Sequence, residues 1–335
     1  MGTPPTAARG ALAWLRHPAF RIGMSAAMLA LLFTILPFGE IRAALASVPV
    51  VAFPVAIAIY LGLHLIGVVK WQVLVNVTGA GLPLRAAIRA YYWGLFGNLF
   101  LPSIVGGDVV RLGMALRAAR SRTGLALGSV VDRALDVVGL LAVAGIGALL
   151  SPRALDDQSR RILIGGLALC AVMGTVGALA LFLTPVRRFP FKIRRRLVHV
   201  RRALRATAGS AHRVALGFAL SMLLQVLLVV LNWRLGVLVG ITAPFYVWLF
   251  VWPLAKISGL APVTQGGIGV REAAQAALFA PFGVAGALAV AAGLVFEVVI
   301  LTGGLLGGAL AWVMGLKDGA RFRASDESLR HARES

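Results

Sequence analysis

The chain has 335 residues, 59% of them hydrophobic and only 13% charged, with a mean hydropathy of +0.89. Ordinary soluble domains run about 45–50% apolar and about 25% charged, so a soluble globule is excluded and a polytopic membrane protein is expected. The formal net charge of +21 lies mostly in short stretches between apolar runs, the placement that the positive-inside rule produces, and this argues against a nucleic-acid partner.

Residues 1–21 carry Arg9, Arg16 and Arg21 and read as a cytoplasmic N-terminal segment. Crossing the hydrocarbon core takes about 20 apolar residues, and six segments qualify: 22–38, 48–69, 125–150, 162–183, 214–240 and 284–314. The first lacks a small-residue cleavage site after it and reads as a retained anchor rather than a signal peptide. Residues 86–122 and 244–282 are each two apolar stretches broken by a Pro/Gly-rich elbow. Non-helical backbone at membrane depth survives only when buried in protein or lining a wet cavity, so both read as re-entrant helical hairpins. Residues 315–335 form a polar tail.

Basic residues set the orientation. The 185–213 loop holds Arg187, Arg188, Lys192, Arg194, Arg195, Arg196, Arg201, Arg202, Arg205 and Arg213 without an acid, whereas 151–161 mixes Asp156 and Asp157 with arginines. Both termini and the basic loop are expected in the cytoplasm, with 39–47 and 151–161 outside. Lys70, Arg85 and Arg89 before the first hairpin, and Arg117, Arg120 and Arg122 after it, are read as cytoplasmic flanks. The basic loop also suits anionic lipid headgroups.

The two elbows align. Pro102 with Pro262, Gly106 with Gly266, Gly107 with Gly267, Val110 with Val270 and Arg111 with Arg271 are all offset by 160 positions, giving P-x3-GG-x3-R twice. The fold class expected is therefore all-α, with six full spans and two hairpins arranged as two inverted repeats, about 22–150 and 162–314, in a single domain over 22–314. Secondary transporters built this way bind their substrates at the repeat interface.

Charges at membrane depth are expensive, and are usually either functional or paired. Those inside are Asp108, Arg111, Asp132, Arg133, Asp136, Lys256, Arg271, Glu272 and Glu297. Asp108 and Arg111 stand three apart, as do Arg133 and Asp136, and Asp132 shares a helix face with Asp136. Neutral pairs that lock the bundle and a polar substrate path account equally well for the 132–136 cluster. At the elbows, a Gly-Gly turn would free backbone N–H groups, and Arg111 or Arg271 would complete a bidentate phosphate site. The alternative is that the glycines only permit a tight helix–helix turn. Cys170 is the one cysteine and the five histidines show no HExxH-like spacing, so a thiol or metal centre has no support and no cofactor is expected. Nucleophile-elbow, P-loop and Cys/His catalytic patterns are absent from the sequence.

At these residues the sequence resembles the family of the lysylphosphatidylglycerol synthase transmembrane region, the flippase-like integral membrane proteins. The likeness is carried by Asn98-Leu99-Phe100-Leu101-Pro102 running into Gly106-Gly107-Asp108 and Arg111, by Val131-Asp132-Arg133, and by Pro262 with Gly266 through Glu272; it covers about 20–315. The resemblance implies translocation of a lipid across the bacterial cytoplasmic membrane, the substrate being a phospholipid or a polyprenyl-linked lipid. Glu297 departs from it, standing where many relatives carry Arg. Fused relatives continue into a soluble aminoacyl-transfer domain; this chain runs only to Ser335, so synthase activity is not expected.

The reading is a flippase-like transporter rather than an enzyme. Arg111 and Arg271 would neutralise a phosphate, while Gly106, Gly107, Gly266 and Gly267 offer backbone donors between Asn98, Pro102 and Pro262. Asp108 and Glu272 would orient the arginines or meet a headgroup amine; Asp132, Arg133, Asp136 and Glu297 would complete a polar path. A membrane-embedded enzyme using Asp108 or Asp132 as base, or a scaffold for a glycosyltransferase, are the alternatives. A homodimer is compatible with such a bundle.

Overall fold

The computed structural model describes residues 18–100, 106–150, 198, 209–259 and 264–334. The 162–183 segment, the 151–161 loop, nearly all of the basic loop, and Pro102 and Pro262 lie outside the described residues. Within them the chain is all helical: α1 (Pro18–Ile35), α2 (Phe38–Ala46), α3 (Ala52–Val77), α4 (Leu84–Phe100), α5 (Gly106–Ala115), α6 (Arg122–Leu149), α7 (Ala211–Val239), α8 (Phe245–Ser258), α9 (Val270–Phe279) and α10 (Gly286–Glu334). A 3-10 turn over Ala280–Phe282 joins α9 to α10.

Three of these helices are long and apolar enough to cross a membrane: Ala52–Val77, Ala211–Val239 and Gly286–Leu316. At 1.5 Å per residue each exceeds the roughly 30 Å hydrocarbon core. The protein is thus a polytopic membrane protein. The segment at 125–150 corresponds to α6, a helix of 28 residues capped at Leu150 that carries Asp132, Arg133 and Asp136. The first expected span differs from its sequence reading. Ile22–Ile35 and Phe38–Ala46 are two helices bent by 103°, so the span read as 22–38 ends at Ile35 and the stretch expected outside begins as a second helix. The cause is Pro37, which lacks an N–H and sits at φ −65° and ψ 103°, outside the helical region.

Local chemistry sets the other ends. α3 stops at Thr78, and Gly79 and Gly81 follow at positive φ. Asn76 clamps that turn by accepting from the Leu82 N–H at 2.7 Å and donating to the Leu82 carbonyl at 3.0 Å. Ser121 caps α6 by accepting from the Gly124 N–H at 3.0 Å.

The helices pack as two hairpins set into a cage of long helices. α4 folds back on α5 and also rests on α10; α8 pairs with α9 and lies against α6; α3 is sandwiched by α6 and α7. Close approach depends on glycine. A Cβ at Gly107 would run into Asn98 Oδ1 and the Gly94 carbonyl, and one at Gly128 into the backbone of α3 at Val75. Gly107→Ala should therefore pry α4 from α5 and lower stability by about 1–3 kcal/mol, as overpacking does. A melting temperature in detergent that matches wild type would contradict this. Outward, Ile22, Leu31, Val55, Val130, Leu149 and Leu306 are exposed, the lipid-facing surface of a membrane bundle.

Candidate functional site

A cavity of about 210 Å³ opens where the two hairpins meet. The first hairpin contributes Asn98, Gly107, Asp108 and Arg111, and the second contributes Gly266 and Arg271. α6 adds Arg133 and Asp136, and α10 adds Glu297. The elbows also touch directly: the Gln265 amide donates to the Leu99 carbonyl at 3.3 Å, while the Gln265 backbone N–H donates to Ser25 Oγ at 2.9 Å. Residues some 160 positions apart in the sequence thus line one chamber in which charged side chains stand among apolar ones.

The two Gly-Gly pairs are not equivalent. Gly106 and Gly107 form the first turn of α5, and the Gly107 N–H already donates to Asn98 Oδ1 at 2.9 Å. This pair is helical rather than a turn, Gly107 serves close packing, and the expected free donor at Gly107 is taken. Gly266 and Gly267 do make a left-handed turn, at φ +62° and +83°. Gly266 has open space around its Cα and lines the cavity, whereas Gly267 lies against Gly259.

One wall is an ion cluster drawn from three helices. Lys70 Nζ on α3 lies 2.9 Å from Asp132 Oδ1 and also bridges Asp136 Oδ1. Arg111 Nη2 on α5 is 3.0 Å from Asp108 Oδ1 and 3.1 Å from Asp132 Oδ2. Arg133 bridges Asp108 and stands 3.7 Å from Asp136. Ser221 Oγ donates to Asp136 Oδ1 at 2.7 Å. The Arg111 guanidinium also lies 4.6 Å over Trp71 and 5.2 Å over Tyr91. Three cations meet three carboxylates, so the cluster is formally neutral, the arrangement that makes buried charge tolerable.

The second cluster is smaller and carries an excess of one carboxylate. Arg271 Nη2 is 3.0 Å from Glu272 Oε1 and bridges Glu297 Oε2. Glu272 caps α9 as well, accepting from the Gly269 N–H at 2.6 Å. Glu272 is completely buried behind the wall, while Glu297 reaches the cavity.

The sequence-derived residues therefore divide. Asn98, Gly107, Asp108, Arg111, Arg133, Asp136, Gly266, Arg271 and Glu297 line the chamber; Asp132 and Glu272 stand behind it holding its arginines; Gly106 and Gly267 are not on its surface. Both guanidiniums are charge-paired, each engaged by two carboxylates through Nη2, while the Arg111 Nε–H has no partner among the described residues. Lys70 differs most from its sequence reading. It is not an aqueous flank but a 1% exposed partner of two aspartates. The signal was present: a lysine inside an apolar run needs an anion, and the Asp132/Asp136 pair on one helix face needs a cation. His64, Gln225, Trp252 and Lys256 also line the chamber, and only Lys256 was visible beforehand as a charge at membrane depth.

The family described as Lysylphosphatidylglycerol synthase TM region matches residues 19–308, most of the chain and all of the chamber. The chain belongs to this family. Among curated proteins none matches it. Membership in the lysylphosphatidylglycerol synthase TM family marks an integral membrane protein of lipid-related function. Every charged residue of the two ion clusters, and Lys256, falls inside the matched region.

Proposed function

We propose that this protein moves a phosphate-bearing lipid, with a glycosyl- or aminoacyl-type headgroup or a polyprenyl carrier, across the bacterial cytoplasmic membrane. The observation that carries the reading is that both hairpins contribute charged and polar side chains to one chamber within an apolar bundle. A headgroup leaving water needs replacement hydrogen bonds and charges, and the chamber supplies them while the tails stay in lipid. The two elbows would act as opposed gates of an inverted repeat, with both termini cytoplasmic and the headgroup received from alternate sides. A transporter rather than an enzyme fits the pairing chemistry: Asp108 and Asp132, the carboxylates an enzyme would use as base, are both held by arginine.

The test is reconstitution into liposomes with fluorescent analogues of an anionic phospholipid, an aminoacylated phospholipid and a polyprenyl phosphate, read by quencher accessibility. Wild type should move at least one of them. Ile300→Trp, which adds bulk to the chamber wall from α10 and leaves every charged residue in place, should return that lipid to the protein-free rate. Folded wild type that moves none of the three, or an Ile300→Trp variant as fast as wild type, would overturn the reading.

A further inference from the structure

Among the described residues, the chamber is lined by four cations, Arg111, Arg133, Lys256 and Arg271. Three of them are in ion pairs. Lys256, near the end of α8, has no carboxylate within ion-pair distance among the described residues. Its Nζ donates to Gln225 Oε1 at 3.0 Å and sits 4.8 Å over the Trp252 ring, one helical turn back. The contacts orient the ammonium but do not neutralise it. An amide oxygen and an aromatic face each carry only partial negative charge, and a cation without a counter-ion is costly away from water.

The surroundings narrow what neutralises it. The three aspartates of the opposite cluster are matched by Lys70, Arg111 and Arg133; both glutamates bond to Arg271, and the surplus carboxylate there makes no ion pair with Lys256 among the described residues. A lysine ammonium has three donors, and Gln225 takes one, which leaves two for oxygens of an incoming group. Beside it the Trp252 indole N–H is buried without an acceptor among the described residues. Such an orphan donor is uncommon in a packed interior.

We infer that Lys256 is the anion-binding residue of the chamber, taking the phosphate of the ligand, while Arg111 and Arg271 hold the walls. This rests on the transport reading for the site's purpose but assigns the phosphate contact to a different residue from either elbow arginine. The shared chemistry is a phosphate ester, which a lipid headgroup or a soluble phosphate would equally provide.

The experiment measures equilibrium binding to purified, monodisperse protein in detergent. The probes are short-chain phosphatidic acid, diacylglycerol with the same tails, and inorganic phosphate. Wild type should prefer phosphatidic acid over diacylglycerol by roughly tenfold or more, the worth of one hydrogen bond to a charged group. Lys256→Met should erase the preference and Lys256→Arg should keep most of it, with melting temperatures confirming that both fold. No preference in wild type, or an undiminished one in Lys256→Met, would overturn the assignment. Ile300→Trp separates the two readings: if it abolishes phosphatidic acid binding while Lys256→Met does not, the chamber stands and Lys256 falls. Tight inorganic phosphate binding that needs Lys256, with no gain from lipid tails, would keep the anion site and remove the lipid from it.

Discussion

Lys70→Met should cost about 3–5 kcal/mol of stability, the usual penalty for removing one partner from a buried ion pair. The side chain is 1% exposed and serves Asp132 and Asp136 together. Its loss leaves three carboxylates facing two arginines, with Asp132 buried beside the missing ammonium. Methionine preserves most of the volume, so the effect reads charge rather than packing. The check is thermal unfolding in detergent, with a second variant to separate coupling from damage. Lys70→Met/Asp132→Asn removes one charge of each sign and should cost clearly less than the two single changes added together. Additive losses would mean that the lysine is held by its helix and not by the aspartates.

Arg271→Met should be comparably severe, again about 3–5 kcal/mol, because it strands two buried carboxylates side by side. Glu272 and Glu297 both converge on one guanidinium nitrogen, and without it they repel across the α9–α10 contact. Arg271→Met/Glu297→Met should regain part of the loss. The remaining Glu272 keeps its bond from the Gly269 N–H, so recovery should be incomplete. A double variant no more stable than Arg271→Met would show that Glu297 is tolerated without the arginine. The chamber should suffer too, since Arg271 and Glu297 are on its wall.

The two hairpins were legible because a Pro/Gly interruption of an apolar run is a local pattern. The i,i+3 pairs Asp108/Arg111 and Arg133/Asp136 were legible because helical spacing alone brings such residues together. The equivalence of the two Gly-Gly elbows was not borne out. Gly106–Gly107 and Gly266–Gly267 sit in the same motif, yet the first pair continues a helix and the second turns left-handed. Glycine permits both backbones, and which one forms depends on what packs against it: Asn98 and Gly94 for the first, Gly259 for the second.

Composition and hydropathy were enough for the membrane class and the all-helical fold, because each is a sum or a period along the chain, but they put Lys70 on an aqueous flank when it is buried. The pairing of the charged residues came only with the packed bundle. Lys70 and Asp136 are 66 positions apart and Arg271 and Glu297 are 26 apart. Whether a buried charge is neutralised depends on distances of a few ångströms between helices, which no single segment encodes. The same packing closed the arginines off with carboxylates and left Lys256 with an amide and an indole ring.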